Sequence, residues 1–163
     1  MKVFGIFGVS KSGKTTSAER ILKELRGRGF SVGSVKDIHA EGFAIDTPGT
    51  NTHRHREAGS QMVVAWGLYE TDVLIQRRLP LAEILPFFHH DFVLIEGGNE
   101  EPLPKILTAK SYQEADAKLD DHVFAIAGVI SNSCREYRGL PVINANTHIK
   151  ELVDLIISKA RDI

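Results

Sequence analysis

The sequence predicts an α/β fold: a three-layer sandwich in which a mostly parallel sheet, with some antiparallel strands, lies between helices. An apolar run at residues 3–7 is followed by a glycine-rich loop, an amphipathic helix with Ile21 and Leu25 on its apolar face, and a second strand at residues 30–35. A strand, a crossover helix and a second strand form the unit from which parallel sheets are built. Apolar runs at 91–95 and 122–127 add strands, and 163 residues with 42% hydrophobic content suit a single domain spanning 1–163.

The composition limits the kinds of partner. The formal net charge of -1 provides no strong positive field for nucleic acid or for an anionic membrane. No apolar run approaches the ~18 residues that span a bilayer. Cys134 is the single cysteine, so no disulfide framework or zinc cluster is expected, and a reducing compartment fits. We expect a cytoplasmic protein that binds small molecules and proteins, with no nucleic acid and no membrane partner.

Residues 8–15 match the pattern G-x-x-x-x-G-K-[ST] between a predicted strand and a predicted helix. Gly8 and Gly13 permit backbone angles that turn successive N–H groups inward around an anion, and the helix N-terminus adds a positive potential. Lys14 is expected to reach the β- and γ-phosphates of a nucleotide, and Thr15 to offer its hydroxyl to Mg²⁺. The sequence therefore predicts a P-loop NTPase-like fold that binds nucleotide through Gly8, Val9, Ser10, Lys11, Ser12, Gly13, Lys14, Thr15 and Thr16.

Two carboxylates are candidates for further metal ligands, since a magnesium nucleotide needs ligands besides Thr15. Asp46 lies in a polar, turn-rich segment that begins where the second strand ends, which is the ligand-facing edge of a parallel sheet. Glu96 ends an apolar run and precedes two glycines, and P-loop nucleotidases place an acid beside the metal at such a strand end. We predict a Mg²⁺ site of Thr15, Asp46 and Glu96, with nucleotide contacts also from Thr47, Pro48 and Gly49.

Lys36 and His39, at the end of the second strand, are weaker candidates for the same site. Residues 50–52 cap a short helix whose residues 53–56 are all histidine or arginine, and either a solvated face or an anion contact fits this run. The remaining pattern predicts strands at 62–66, 71–75 and 105–108, and a short or kinked helix after Pro80. It also predicts a polar surface segment at 111–121 and a last strand at 141–144. A closing helix is predicted from Ile149 to Ala160, capped near Asn146 or Thr147.

With these motifs located, the chain resembles the MobB family, the molybdopterin-guanine dinucleotide biosynthesis adaptor proteins, over nearly its whole length. The P-loop alone is shared with many families, and the combination and order of motifs identify this one. In chain order these motifs are Lys14-Thr15-Thr16, Lys36 with His39, Asp46-Thr47-Pro48-Gly49, Arg56-Glu57-Ala58-Gly59, and Leu94-Ile95-Glu96-Gly97 followed by Pro104-Lys105-Ile106. An Asn-Lys-x-Asp motif for reading guanine is missing, so guanine is implied by the resemblance only.

The resemblance implies a protein that binds GTP and hydrolyses it weakly. Together with the predicted Mg²⁺ site, the motifs make Lys14, Thr15, Asp46 and Glu96 the candidate catalytic residues. It also implies a homodimer that works beside a MobA-like guanylyltransferase, which attaches GMP to molybdopterin, and beside molybdopterin-bearing proteins. Two other classes stay open. Glu96-Gly97-Gly98 resembles the Glu-Gly strand end of dethiobiotin synthetase, an ATP-dependent ligase, and the histidine content would suit a metallochaperone GTPase.

Overall fold

The computed structural model describes residues 1–98 and 100–163. Its elements divide into two units, Met1–Asp37 with Phe88–Ile163, and Ile38–Phe87. One domain over residues 1–163 stays a prediction, because this division does not show whether the units fold independently. The elements are β1 (Lys2–Gly8), α1 (Lys14–Gly27), β2 (Val32–Lys36), α2 (Asn51–Glu57), β3 (Met62–Trp66), β4 (Thr71–Ile75), α3 (Leu81–Ile84), β5 (Phe92–Glu96), β6 (Lys105–Thr108), α4 (Tyr112–Lys118), β7 (Val123–Ala127), β8 (Glu136–Tyr137), β9 (Leu140–Pro141), α5 (Ile149–Lys159) and β10 (Arg161–Asp162).

Parallel strands form the main sheet of the first unit, in the order β2-β5-β1-β6-β7. β10 differs, because it pairs antiparallel with the start of β1 at Lys2 and Val3. β5 is buried along its whole length, and β1 is buried from Val3 to Phe7. Strands that are covered on both faces have continuous apolar sequences, which is why the sequence located β1 and β5. The predicted α/β fold with a mostly parallel sheet is confirmed.

Helices cover both faces of this sheet. On one face, α1 packs through Ala18, Ile21 and Leu25, which recur at helical spacing, and α5 adds the buried Leu152 and Ile156. A second cluster joins α4 to the opposite face through Phe7, Leu107, Ala115 and Ile126. No helix within the described ranges combines the length and the apolar character needed to cross a membrane.

The second unit contains an antiparallel hairpin of β3 and β4, with Met62 opposite Ile75 and Trp66 opposite Thr71. Both strands have the predicted bounds. The hairpin is preceded by α2, whose N-cap residue Thr50 accepts a hydrogen bond from the His53 N–H through its side chain. It is followed by α3, which is short, as predicted, because the chain passes into a 3-10 turn at Leu85–Phe87 that contains Pro86.

Residues 111–121, predicted as a polar surface segment, are mostly exposed, and they contain α4, a helix that the sequence did not predict. Ser111 accepts a hydrogen bond from the Glu114 N–H, and the Glu114 carboxylate accepts one from the Lys110 N–H. This reciprocal arrangement is close to a capping box and stabilises a helix that buries only Ala115. Its outward side chains give the segment the polar composition from which a surface location was predicted.

The strand predicted at 141–144 is only partly formed, because β9 spans Leu140–Pro141. β9 pairs with β8 across a tight turn in which Arg138 and Gly139 both have positive φ, and Val142 adds only an isolated bridge to Ile126. The predicted cap of α5 near Asn146 or Thr147 is also wrong. The N-cap residue is His148, no side chain caps the helix, and α5 ends at Lys159 before β10, which the sequence did not predict.

Candidate functional site

The loop between β1 and α1 has the backbone geometry of an anion cradle. Gly8 and Gly13 have φ values of 146° and 95°, and Lys11 has a φ of 61°. At Gly8 an added Cβ atom would lie 2.1 Å from the carbonyl oxygen of Thr108, so no larger residue fits. Positive φ values spaced along the loop turn its N–H groups toward the inside of the curve. The two glycines of the motif therefore adopt backbone angles of the kind that the sequence predicts.

The backbone N–H groups of residues 11–16 match an anionic ligand. None of them donates a hydrogen bond to another residue within 1–98 or 100–163. The first N–H that does so belongs to Ser17, which donates to the Gly13 carbonyl oxygen at 2.9 Å. Unpaired donors at the start of a 14-residue helix, together with the helix dipole, bind phosphate. These residues therefore fit the polyphosphate of a nucleotide.

Side chains hold the loop in this shape. Lys14 Nζ donates to the Gly8 carbonyl oxygen at 3.2 Å, so the lysine already lies across the loop. The fully buried Ser12 contacts the Val9 carbonyl oxygen at 2.8 Å and Thr108 Oγ1 at 2.7 Å. A loop that is fixed by its own contacts has little conformational entropy left to lose when a ligand binds. Thr108 was not predicted from the sequence, although its place at the carboxyl end of a parallel strand was a usable signal.

Thr15 and Glu96 lie together, as predicted. The Thr15 hydroxyl donates to Glu96 Oε1 at 3.0 Å, and Lys36 Nζ lies 2.5 Å from the same oxygen. The register explains this meeting, because Glu96 on β5 is paired with Lys36 on β2 and with Ile6 on β1. Glu96 is only 8% exposed, so its charge needs the partners that Lys36 and Thr15 provide. Lys36, a weaker candidate in the sequence, thus lines the same cavity as Thr15 and Glu96.

The P-loop, Lys36 and Glu96 line one open cavity of about 420 Å³. The chain leaves β5 through Gly97, whose φ is 99° and where a Cβ atom would lie 2.7 Å from the Cβ atom of Asp37. The Gly98 N–H donates to the Asp37 carboxylate at 3.1 Å. The glycines after Glu96 therefore allow the ends of β5 and β2 to approach each other closely at the edge of the cavity.

Asp46 lies in the second unit, where it organises a turn. Its Oδ1 accepts hydrogen bonds from the Thr52 hydroxyl at 2.8 Å, the Thr50 hydroxyl at 2.9 Å and the Thr47 N–H at 3.1 Å. Its Oδ2 is buried and has no partner among the described residues. Burial raises the pKa of the Asp46 carboxyl, but these hydrogen bonds and the charge of Arg56 outweigh it, and the net pKa is lowered. Its predicted role as a metal ligand stays a prediction.

The neighbours of Asp46 complete this turn. Thr47 accepts a hydrogen bond from the Thr50 hydroxyl through its carbonyl oxygen, and Gly49 has a φ of 93°. On α2, His53 and Arg56 lie 4.0 and 3.9 Å from a carboxylate oxygen of Glu57, and no residue of the helix is buried. These contacts favour a solvated helix face for residues 53–56. The nucleotide contacts predicted for Thr47, Pro48 and Gly49 stay predictions.

With this geometry established, comparison with known proteins identifies the family. The family model for molybdopterin guanine dinucleotide synthesis protein B, MobB, matches residues 3–131. The chain belongs to the MobB family. Over 161 residues it is 29% identical to a probable molybdopterin-guanine dinucleotide biosynthesis adapter protein of Bacillus subtilis, covering 96% of this chain and 91% of that protein. Over 131 residues it is 32% identical to the adapter protein of Haemophilus influenzae, covering 77% of this chain and 73% of the other.

The fold agrees with this assignment. The crystal structure of Bacillus subtilis MobB matches with a TM-score of 0.79 and 26% identity, and the match covers 100% of both chains. The family predicted from the motifs is confirmed, and so is the predicted place in molybdopterin-guanine dinucleotide biosynthesis. Family membership therefore favours this reading over the ligase and metallochaperone alternatives.

Proposed function

We propose that this MobB family member binds GTP together with Mg²⁺ and acts as an adapter in molybdopterin-guanine dinucleotide biosynthesis. One observation carries the proposal: the unpaired N–H groups of residues 11–16 lie beside the Thr15–Glu96 contact. The N–H groups match the charge of phosphates, and the hydroxyl with the carboxylate matches a hard divalent cation. The family to which the chain belongs supports the pathway and, by resemblance, guanine as the base.

When bound, Mg²⁺ would neutralise charge on the β- and γ-phosphates. Thr15 Oγ1 and Glu96 Oε1, which are 3.0 Å apart, are the groups that would hold it. Lys14 and Lys36 supply positive charge on the same cavity wall, Lys14 across the phosphate loop and Lys36 beside Glu96. The site thus offers cations for the phosphates and a carboxylate for the metal.

The proposed site also includes Asp46, with Thr47, Pro48 and Gly49. Three donors already occupy Asp46 Oδ1, so a metal or water contact would use Oδ2, which has no partner among the described residues. A contact through one oxygen leaves the turn before α2 intact. We therefore expect Asp46 to contribute less to metal affinity than Glu96.

Slow hydrolysis of GTP is part of the proposal, with Lys14, Thr15, Asp46 and Glu96 as the catalytic residues. Fast hydrolysis by P-loop proteins needs a further positive charge on the transition state, which is worth about 10³- to 10⁵-fold in rate. Arg54 and Arg56 are the candidates in this chain, and Arg56 lies near Glu57 on the same helix. A single-turnover rate on the order of 1 s⁻¹ for the pure protein with Mg²⁺ and GTP would contradict an adapter role and indicate a self-sufficient enzyme.

A homodimer is also proposed, and it rests on the hairpin of the second unit. Met62, Val64, Trp66 and Val73 share one face of this hairpin and are 57%, 49%, 90% and 51% exposed. An apolar sheet face of this size is unusual on a monomer. The other proposed partners are a MobA-like guanylyltransferase and molybdopterin-bearing proteins, in the cytoplasm. Sedimentation of the wild type and of Trp66→Ser tests the dimer, which the substitution should weaken.

Calorimetry with GTP and with ATP, each with and without Mg²⁺, tests the binding function. We expect GTP to bind, to bind more tightly with Mg²⁺, and to bind more tightly than ATP. If neither nucleotide binds at millimolar concentration, the assignment of the P-loop as a nucleotide site is wrong. If binding is unaffected by Mg²⁺, the metal role of Thr15 and Glu96 is wrong.

A further inference from the structure

A second, smaller cavity of about 170 Å³ begins at the P-loop and extends away from the metal residues. It shares Gly13 and Thr16 with the phosphate cavity, but Thr15, Lys36 and Glu96 do not line it. The sheet order explains the separation, because Glu96 ends β5 on one side of β1, whereas the loop after β7 lies on the other side. A ligand in the P-loop therefore has two different environments at its two ends.

We propose that this second cavity holds the nucleotide base, and that Asn132 there favours guanine. The inference rests on the proposed function. In a magnesium nucleoside triphosphate the metal bridges the β- and γ-phosphates. Because Thr15 and Glu96 mark that end, the α-phosphate and the nucleoside lie toward Gly13 and Thr16, where the second cavity opens. Its volume is below the range of about 300–1,000 Å³ typical for a whole ligand, and it suits one part of a nucleotide.

The cavity is firmly placed relative to the P-loop. The Val129 N–H donates to the Ser12 carbonyl oxygen at 3.1 Å. At Gly128 a Cβ atom would lie 2.2 Å from that same oxygen, so the loop after β7 is pressed against the phosphate loop. The side chains of Val129 and Ala145 give the cavity an apolar part on which a ring can rest. A base bound here would meet a site that is already formed.

A chain of amide groups sets which hydrogen bonds the cavity offers. The Asn146 N–H donates to Asn144 Oδ1 at 2.9 Å, and Asn144 Nδ2 donates to Asn132 Oδ1 at 2.8 Å. Asn132 Nδ2 is left as a donor without a partner among the described residues. Guanine presents two acceptors, O6 and N7, on one edge, whereas adenine presents an N6 amino donor beside N7. The free donor of Asn132 therefore matches guanine better than adenine, in a chain that lacks the Asn-Lys-x-Asp motif.

The test compares GTP, ATP and inorganic tripolyphosphate, each with Mg²⁺, on the full chain. In Asn132→Ala we expect GTP affinity to fall about fivefold, the effect of one neutral hydrogen bond, while tripolyphosphate affinity stays unchanged. Asn132→Asp keeps the oxygen that accepts from Asn144 and replaces the donor by an acceptor. This variant should lower the ratio of GTP to ATP affinity. Gln113→Ala removes an exposed carboxamide on α4 and serves as the matched control, with no change expected.

The outcomes separate the two proposals. If GTP binds the wild type but both Asn132 variants keep its affinity and the same preference over ATP, the base site is elsewhere and the proposed function still stands. Equal affinity of the wild type for GTP and tripolyphosphate would likewise overturn the base site alone. If neither GTP nor tripolyphosphate binds the wild type, the proposed function fails, and the base site fails with it. Melting curves of the variants exclude unfolding as the cause of any loss.

Discussion

Glu96 and Asp46 are both carboxylates that the sequence predicts as metal ligands, but the protein holds them in different ways. Glu96 ends a buried strand and is paired in register with residues of two neighbouring strands. Its Oε1 contacts Thr15 and Lys36, which are side chains of the phosphate site. Asp46 lies in a turn, and its Oδ1 accepts three hydrogen bonds from Thr47, Thr50 and Thr52.

The difference shows that the role of a carboxylate depends on the secondary structure and the partners around it. The position of Glu96 follows from the sheet, because a strand end next to β1 must come close to the loop that leaves β1. The hydrogen bonds of Asp46 among the described residues come from residues at most six positions further along the chain, and they stabilise the start of α2. Asp46 thus has a structural role that explains its presence without a metal, whereas the contacts of Glu96 belong to the site.

The largest loss of nucleotide affinity is expected for Lys14→Ala, which removes the positive charge of the P-loop lysine. A charge-assisted contact contributes about 1.5–3 kcal/mol, so affinity for Mg²⁺-GTP should fall about 10- to 100-fold, measured by calorimetry. The melting temperature should change little, because Lys14 is half-buried and its one hydrogen bond to the described residues is to the Gly8 carbonyl oxygen. Lys23→Ala, an exposed lysine of the same helix, is the control. Unchanged affinity in Lys14→Ala would refute the phosphate site.

Glu96→Gln should reduce the Mg²⁺-dependent part of GTP affinity about tenfold, because an amide is a poor ligand for Mg²⁺. Affinity without Mg²⁺ should not fall, since the substitution removes a negative charge beside Lys14 and Lys36. Titrations with GTP at several Mg²⁺ concentrations measure both quantities. An equal loss with and without the metal would indicate that Glu96 acts by holding the site together.

Asp46→Asn should lower the Mg²⁺-dependent affinity by a smaller factor, about threefold, because only Oδ2 is available to the metal. The same titration measures it, and Asp121→Asn, an exposed carboxylate on the other unit, is the control. If Asp46→Asn matches or exceeds the loss in Glu96→Gln, the contrast between the two carboxylates is wrong.

The smallest effect concerns pH. The pKa of Asp46 is lowered below its ordinary value of 3.8, so its ionised form stabilises the folded protein above that value. This stabilisation should disappear as the pH falls below 3.8 and Asp46 becomes protonated. The difference in melting temperature between wild type and Asp46→Asn should therefore be largest at neutral pH and shrink as the pH falls below 3.8. A difference that stays constant from neutral to acidic pH would show that the charge of Asp46 does not contribute.

Motifs that depend on residues close together in the sequence could be predicted from it. The spacing of Gly8, Gly13 and Lys14, and the continuous apolar strands on either side, were sufficient for β1, the P-loop and α1. Glu96 was found because it ends such a strand. Contacts between segments far apart in the sequence could not be predicted from it. Thr108 meets Ser12 only because β6 lies beside β1, and Asn132 and Asn144 meet across the end of the sheet.

The elements that the sequence missed are short and have little apolar pattern. α4 buries a single residue, so its signal was the Ser111 and Glu114 pair at its start. β10 has two exposed residues, and it exists because α5 returns the chain to the start of β1. Secondary structure of this length depends on tertiary contacts, which a periodicity cannot show.

The central claim is that Thr15 and Glu96 act on the same metal ion, and a double-mutant cycle tests it most directly. Calorimetry would measure the affinity for GTP, with and without Mg²⁺, in wild type, Thr15→Val, Glu96→Gln and the double variant. We predict that the losses in the presence of Mg²⁺ are not additive, with a coupling of about 0.5–3 kcal/mol, and that the coupling vanishes without Mg²⁺. Losses that simply add, or a coupling that persists without the metal, would contradict a shared Mg²⁺ site.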